Sequence, residues 1–182
     1  MTAHRAAAFA ASLVVVCLMT GCQEPAMTAT RTSGQQQDDD TGTVTRVLDG
    51  DTVDVTIGGR AERVRLVGVN APEISHDGDR ADCYGEASAA HVRAQLTGHL
   101  VTLEHDPSQP PADKYGRRLA YLELEGNDVA AGLIRDGDAV VYTYDRAHPF
   151  TRHDTYQRAQ NEARAAGRGL WSPTTCAGDF DR

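Results

Sequence analysis

The stretch of sequence that decides the fold is TVTRVLDGDTVDVTIGGRAERVRLVGV, residues 43–69. Apolar and polar residues alternate along it, which is the period of a half-buried β-strand. Two turn signals, Asp49-Gly50 and Gly58-Gly59, interrupt the alternation, and dipeptides of both kinds favour tight hairpins. The stretch therefore predicts three antiparallel strands joined by two hairpins.

Three helices are predicted in the rest of the chain. Apolar residues at helical spacing predict helices over residues 86–96 and 152–166, each of which ends close to a glycine. Between them, Asn127 is the predicted cap of a short helix that runs through Ile134 and ends at Gly137. Trp171 follows the last helix and is expected to pack back on the body of the domain.

Two further strands complete the predicted sheet, over residues 100–103 and 118–124. Five short strands interrupted by a helix favour a small closed barrel, and the OB-fold is the commonest barrel of that size. The predicted fold class is therefore α+β, a five-stranded OB-fold β-barrel with three helices.

The N-terminal residues 1–22 differ in composition from the rest of the chain. Arg5 precedes an apolar run over residues 6–19, which is too short for a resident membrane helix and is typical of a signal peptide. A buried N-terminal helix is the alternative, but the run has no amphipathic period. The run ends in MTGC, residues 19–22, which resembles the lipobox of bacterial lipoproteins, although Met19 replaces the usual Leu.

This ending predicts cleavage before Cys22 and lipidation of that cysteine, with ordinary cleavage near Ala29 as the alternative. Residues 23–42 are polar and should form a flexible tether, because they have too few apolar side chains to offset the entropy of ordering. The length of 182 residues then leaves one domain over residues 43–176 and a C-terminal tail over residues 177–182. The expected location is outside the cell, on the membrane through a lipid or secreted, with a monomer as the default state.

Two of the four cysteines, Cys83 and Cys176, lie in the predicted domain. An exported protein rarely keeps exposed thiols, so these two are expected to form a disulfide. Two free thiols are the alternative. A bridge here would close a long loop and, in the chain-entropy model, contribute on the order of 4 kcal/mol to stability.

The formal net charge of −8 at pH 7 argues against a nucleic-acid partner, because phosphate binding usually needs a basic surface. An acidic protein can still bind a polyanion where arginines and a bound divalent cation reverse the local charge. Binding of this kind would be modest in affinity and sensitive to salt.

Three polar clusters interrupt the apolar pattern, and each has a structural alternative. The DGDT cluster at residues 49–52 is explained by a hairpin turn alone, and Arg65 by an outward side chain on a strand. The third cluster, DKYGRRLAY at residues 113–121, is both basic and aromatic, which is typical of phosphate-binding loops, although Gly116 also suits a solvated turn.

The combination is far more specific than any single cluster. The ordered motifs are DGDT (49–52), RLVGVNAPE (65–73), CYGEAS (83–88), DKYGRRLAY (113–121) and GLWS (169–172). In this order they resemble the thermonuclease, or staphylococcal nuclease-like, family, over residues 44–171. The resemblance implies an OB barrel and a calcium-dependent endonuclease that acts on DNA and RNA and leaves 3′-phosphate ends.

The resemblance also implies roles for individual residues. Asp51 matches a carboxylate ligand of calcium, Asn70 stands at the position of a second carboxylate ligand, and Ala71 matches a residue that lends its backbone carbonyl. The other matched positions are the catalytic residues Arg65, Glu73 and Arg117, the groups near a terminal phosphate Lys114 and Tyr115, and an aromatic beside the nucleotide, Tyr142.

These residue types suit phosphodiester hydrolysis. The reaction needs a deprotonated water and cations around the extra negative charge of the transition state. Glu73 is the candidate base, and Arg65 and Arg117 carry planar forks that each hold two phosphoryl oxygens. Asn70 departs from the aspartate common in the family, so weaker calcium binding is expected. The alternative function is a catalytically inactive OB module that only binds nucleic acid, for which Asn70 is the sole support.

Overall fold

A computed structural model describes residues 40–75 and 80–180 of the chain. The predicted signal peptide, the lipidated Cys22 and most of the predicted tether lie outside these residues. The domain starts slightly earlier than expected, because the first strand begins at Thr41 rather than at residue 43. Asp40 also contacts the barrel, where its carbonyl accepts a 2.7 Å hydrogen bond from Leu103 N–H. None of the helices in the described residues is long and apolar enough to cross a membrane.

The predicted meander is present. Strands β1 (Thr41–Val47), β2 (Thr52–Ile57) and β3 (Arg60–Leu66) pair antiparallel in chain order. The β2–β3 turn contains Gly58 and Gly59, both with positive φ, as a two-residue hairpin of the primed type requires. A bulge between Val44 and Arg46 bends β1, and such bends help a sheet to close.

The sheet closes into a five-stranded barrel. β1 also pairs antiparallel with β5 (Leu100–Glu104), and β5 pairs antiparallel with β6 (Arg118–Leu124). β6 then pairs parallel with β3, with Val64 opposite Arg118, so the first and last elements of the sheet meet. This closed barrel with three helices confirms the predicted α+β OB-fold.

Three very short strands lie beside the barrel: β4 (Val69–Asn70), β7 (Asn127–Asp128) and β8 (Val140–Val141). β4 pairs with β8 in a separate two-stranded sheet, and β7 pairs with β6. β7 and β8 were not predicted, and Val69 of β4 was predicted as part of the third strand, which ends at Leu66 instead. The β4–β8 pair matters for function because it places the residues after β8 beside the end of β3.

The helices are α1 (Gly85–Leu96), α2 (Val129–Asp136) and α3 (His153–Ala166), followed by a 3₁₀ turn over Gly169–Trp171. They cover a core that includes Val44, Val53, Leu66, Leu96 and Leu133. The prediction that Asn127 caps α2 is wrong. Asp128 is the cap, and its carboxylate accepts from Ala131 N–H at 3.0 Å, whereas the Asn127 amide donates back to Leu124 and Glu125 carbonyls.

Cys83 and Cys176 form the predicted disulfide, with their Cα atoms 5.8 Å apart. The bridge ties the start of α1 to the chain that follows the 3₁₀ turn. Residues beyond the predicted domain boundary also belong to the body: Gly178 N–H donates to the Leu170 carbonyl, and the Phe180 carbonyl accepts from Cys83 N–H. The expected tail is therefore attached to the domain at least as far as residue 180.

Candidate active site

A cleft of about 530 Å³ opens on one side of the barrel. Its walls come from the β1–β2 turn, the end of β3 with β4, the loop before β6, and the segment after β8. Eight of the nine residues predicted for catalysis, metal binding and substrate contact line it: Asp51, Arg65, Asn70, Glu73, Lys114, Tyr115, Arg117 and Tyr142. The ninth, Ala71, is buried directly beneath through its contact with Asp51.

Asp51 lies at the entrance to β2 and is only 3 % exposed. One carboxylate oxygen accepts from the Thr52 hydroxyl at 2.9 Å, and the other accepts from Ala71 N–H at 2.9 Å. The turn before it is fixed by Asp49, whose side chain accepts from Asp51 N–H at 2.8 Å. The turn interpretation of DGDT is therefore correct, and the same turn places the Asp51 carboxylate at the wall of the cleft. The role of Asp51 as a calcium ligand stays a prediction.

Arg65 projects from β3 toward the same carboxylate. Its Nη2 lies 3.0 Å from Asp51 Oδ2 and 3.3 Å from Asn70 Oδ1, while Nη1 donates to the carbonyls of Leu66 and Val69 at 2.8 Å. The guanidinium is largely buried, so the outward, solvated orientation considered for Arg65 is wrong. The fixed hydrogen bonds hold the fork in one orientation.

The electrostatics around Asp51 are unusual for a carboxylate. Burial raises the pKa of Asp51 to about 7, the Arg65 guanidinium opposes that shift, and the neighbouring Asp49 adds to it. The carboxylates of Asp51 and Asp49 and the guanidinium of Arg65 therefore interact in a region with little access to water. Perturbed carboxylates in clefts are typical of functional sites.

The donor set here fits a hard divalent cation. Asp51 Oδ2 and Asn70 Oδ1 both lie within 3.3 Å of the same Arg65 nitrogen, so these two oxygens are close neighbours and both now contact the guanidinium. Carboxylate, amide and backbone oxygens are the ligands that calcium accepts. Within residues 40–75 and 80–180, however, no three His, Cys, Asp or Glu side chains form a metal-binding group. A cation at Asp51 would thus depend on the Asn70 amide and on backbone oxygens.

Glu73 follows β4 and Pro72, with its side chain exposed at the edge of the cleft. Its backbone is held on both sides by Asp82, whose carboxylate accepts from Glu73 N–H and whose own N–H donates to the Glu73 carbonyl. A carboxylate on a fixed backbone, in the same cleft as a buried guanidinium, is a candidate general base.

The loop before β6 supplies the second arginine. Arg117 Nε lies 2.6 Å from Asp113 Oδ2, and the other Asp113 oxygen accepts from the N–H groups of Tyr115 and Arg117. Burial alone would raise the pKa of Asp113, but hydrogen bonds from Arg117 and Tyr115 lower it. Asp113 therefore stays ionised and holds the Arg117 guanidinium in position. This residue was missed as a site residue because its pattern suits a simple turn.

Aromatic side chains surround the open face of the cleft. Tyr115, Tyr142 and Tyr144 are 73 %, 46 % and 79 % exposed, and Lys114 Nζ lies 5.0 Å from the centre of the Tyr115 ring. Tyr142 N–H donates to the Gly68 carbonyl, which extends the β4–β8 pairing. Tyr144 was missed, although its separation of two residues from Tyr142 would place both on one face of an extended chain.

The roles of these residues stay predictions, but their assembly in one cleft is a structural fact. Four chain segments far apart in sequence bring an aspartate, an amide, a glutamate, two arginines and exposed tyrosines together. This combination defines an OB-fold protein with an acidic and arginine-lined cleft on the side of its barrel.

Comparison with known proteins identifies the family. Residues 63–173 match the family described as staphylococcal nuclease homologue, and the chain belongs to this family. It is 36 % identical over 132 residues to a thermonuclease of Staphylococcus intermedius, an alignment that covers 70 % of this chain and 74 % of that protein. It is also 36 % identical over 132 residues to an uncharacterized endonuclease of Escherichia coli O157:H7, covering 72 % and 76 %. A thermonuclease of Staphylococcus hyicus is 30 % identical, covering 71 % and 74 %.

Proposed function

We propose that this protein is an exported, calcium-dependent endonuclease that hydrolyses phosphodiester bonds of DNA and RNA and leaves 3′-phosphate ends. The observation that carries the proposal is the single cleft that combines the Asp51 and Asn70 oxygens with Arg65, Glu73 and Arg117. The names of the relatives, thermonuclease and endonuclease, support the same activity.

The two arginines bind the scissile phosphate. Arg65 is fixed by two backbone carbonyls and by Asp51, and Arg117 is fixed by Asp113. Arg117, held through its Nε, is oriented to donate from its terminal nitrogens to the phosphoryl oxygens as negative charge develops on them. Pre-oriented donors of this kind contribute about 3 kcal/mol each to transition-state stabilisation. The terminal nitrogens of Arg65 already donate to protein oxygens, so Arg65 would exchange some of these bonds for the phosphate.

Glu73 acts as the base. Its exposed carboxylate faces the cleft, where it can accept a proton from a water molecule and so allow that water to attack phosphorus. The attack lies in line with the leaving oxygen if the phosphate is held by both arginines. Glu73→Gln would keep the size of the side chain and remove the proton acceptor.

Asp51 and Asn70, with the Ala71 carbonyl, are the residues that would hold calcium. When bound, the ion would neutralise phosphate charge and orient the water. Its local positive charge would also offset the formal net charge of −8, which otherwise disfavours a polyanionic substrate. The exposed Tyr115 and Tyr142 would contact sugar or base without reading sequence.

Export and anchoring remain part of the proposal on the strength of the sequence. The apolar run over residues 6–19 and the lipobox-like MTGC support a signal peptide with lipidation at Cys22. The Cys83–Cys176 disulfide also suits an oxidising compartment. The protein would then act as a monomer facing outside the cell, attached by lipid or free.

A second candidate function is favoured by one observation, the amide at position 70. With one carboxylate fewer, cation binding could be too weak for catalysis, and the domain would then only bind nucleic acid. The catalytic trio argues for the enzyme, because a binding module has no use for Glu73 beside two fixed arginines.

Digestion of single-stranded DNA, duplex DNA and RNA, with calcium or with a chelator, tests the proposal. We expect cutting only with calcium, and product ends that require phosphatase treatment before a polymerase can extend them. Cutting that continues in chelator contradicts the calcium dependence. Binding in a mobility-shift assay without cutting in calcium supports the inactive module instead.

A further inference from the structure

Asp82 makes two hydrogen bonds to the backbone of Glu73. Asp82 Oδ2 accepts from Glu73 N–H at 2.9 Å, and Asp82 N–H donates to the Glu73 carbonyl at 3.0 Å. The two bonds together form a closed ring between the residues. The side-chain bond has a carboxylate acceptor, and such charge-assisted bonds are stronger than neutral ones.

The start of α1 supports the same backbone from the other side. Gly85 N–H donates to the Asp82 carbonyl at 3.1 Å. A Cβ atom at Gly85 would lie only 2.2 Å from the Glu73 carbonyl oxygen, so the helix start and Glu73 are in close contact. Only glycine permits this approach. The backbone carbonyl of Glu73 thus contacts both Asp82 and Gly85.

The disulfide lies between these two residues in sequence. Cys83 is bonded to Cys176, which is fully buried, and Cys83 N–H donates to the Phe180 carbonyl at 3.0 Å. The segment from Asp82 to Gly85 is therefore attached covalently to the C-terminal part of the chain. This attachment limits movement of the residue that holds Glu73.

We propose that Asp82 is a positioning residue for Glu73, and that the Cys83–Cys176 disulfide fixes Asp82 for this role. The inference rests on the proposed function of Glu73 as the base. A shift of the Glu73 backbone moves the carboxylate that it carries, and a displacement of about 1 Å can reduce the rate about 100-fold. Loss of the Asp82 contact should therefore affect the chemical step more than substrate binding.

Three variants of the full chain test the role of Asp82. Asp82→Ala removes the acceptor and should lower kcat about 30-fold while KM stays within about twofold. Asp82→Asn keeps an oxygen that can accept from Glu73 N–H, so it should retain kcat within about threefold. Asp154→Ala, at the exposed start of α3, removes the same charge away from the cleft and should match the parent protein.

The disulfide is tested by replacing both cysteines with serine, in the parent protein and in Asp82→Ala. We expect a fall in kcat in the parent background and little further fall in Asp82→Ala, because both changes act through the same contact. Circular dichroism spectra at the assay temperature, together with thermal melting curves, identify variants that have lost the fold. If Asp82→Ala is unfolded, Asp82→Ser, whose shorter side chain also fails to reach Glu73, replaces it.

Unchanged kcat in Asp82→Ala, or equal losses in Asp82→Ala and Asp82→Asn, would overturn the role of Asp82. Full activity of the double serine variant would overturn the role of the disulfide. Glu73→Gln separates this inference from the proposed function. If that variant is inactive while Asp82→Ala is fully active, only the positioning role fails. If Glu73→Gln is fully active, the base itself is wrong.

Discussion

Two aspartates buried in the same domain, Asp51 and Asp106, have pKa shifts in opposite directions. Burial raises the pKa of Asp51 to about 7, and the nearby Asp49 adds to the effect. Burial alone would also raise the pKa of Asp106, but hydrogen bonds from Tyr121, Ser108 and Thr151 outweigh it and hold the pKa well below its usual range. The contrast shows what each carboxylate contributes to the protein.

Asp106 is saturated with donors. It accepts from the N–H and hydroxyl groups of Ser108 and of Thr151, at 2.7 to 2.8 Å, and from the Tyr121 hydroxyl. Next to it, Arg152 contacts Asp128, Glu104 and Glu123 and stacks 4.1 Å above the Tyr121 ring. Every partner comes from the protein itself, so this network stabilises the fold.

Asp51 is paired with Arg65, but it lies buried in the wall of the cleft beside Asp49, and burial outweighs the arginine in setting its pKa. Natural proteins accept local instability of this kind where a ligand completes the site. We therefore assign the Asp106 network to stability and the Asp51 cluster to function. Replacing each aspartate by asparagine tests this assignment.

Asp51→Asn should have the largest effect on activity. Loss of the principal cation ligand is expected to reduce kcat/KM about 10² to 10³-fold in calcium. The melting temperature should fall less than in Asp106→Asn, because Asp51 accepts from fewer donors than Asp106 and Arg65 keeps its bonds to the Leu66 and Val69 carbonyls. Parallel activity and melting curves check both. If Asp51→Asn loses much stability but keeps its activity, the Asp51 cluster serves the fold and its assignment to function is wrong.

Asp106→Asn should have the matching effect on stability. An amide places N–H groups toward donors that require an acceptor, so we expect a loss of about 2 to 3 kcal/mol in the free energy of unfolding. Activity per folded molecule should stay within about twofold. Urea unfolding with fluorescence measures the change, and normal stability would show that the network around Asp106 is not needed for the fold.

The Asp106 network also predicts a pH dependence. Because the folded pKa of Asp106 lies below its unfolded value of about 4, the ionised group stabilises the protein above that value and the effect is lost as pH falls. The stability difference between the parent protein and Asp106→Asn should therefore be constant near neutral pH and shrink below about pH 4. A difference that grows with acidity would contradict this sign.

Asn70→Asp should have the smallest effect of these substitutions, and it should strengthen calcium binding. A second carboxylate increases the ligand charge, so the calcium concentration for half-maximal activity should fall on the order of tenfold. Asn161→Asp, on the exposed face of α3, is the matched control for the added charge. An unchanged calcium titration would show that position 70 does not contact the ion.

The barrel could be predicted because its signals are local. Alternation and the Gly58-Gly59 turn specify the meander without help from distant residues. The break that separates β4 from β3, and the two-residue strand β8, were missed because such short pairs form only through tertiary contact. The choice of Asp128 over Asn127 as the α2 cap depends likewise on tertiary structure, since Asp128 also binds Arg152 and Tyr156.

Site residues that belong to an ordered sequence motif could be predicted. Residues that reach the site only through tertiary contacts could not. Asp51, Arg65, Glu73 and Arg117 stand in ordered motifs, and the structure brings them into one cleft. Outside the site, the contact of Asp106 with Thr151, 45 residues away, was missed because no sequence spacing indicates it. Asp82 was missed for a related reason, because its loop between β4 and α1 has no periodic pattern.

The most direct test of the account is calcium-dependent cleavage of DNA by Glu73→Gln beside Glu162→Gln, an exposed position on α3 that carries the same substitution. We predict that Glu73→Gln lowers kcat about 10² to 10⁴-fold with its fold and its DNA binding intact, while Glu162→Gln cuts like the parent protein. Equal activity in all three proteins would contradict the assignment of Glu73 as the base.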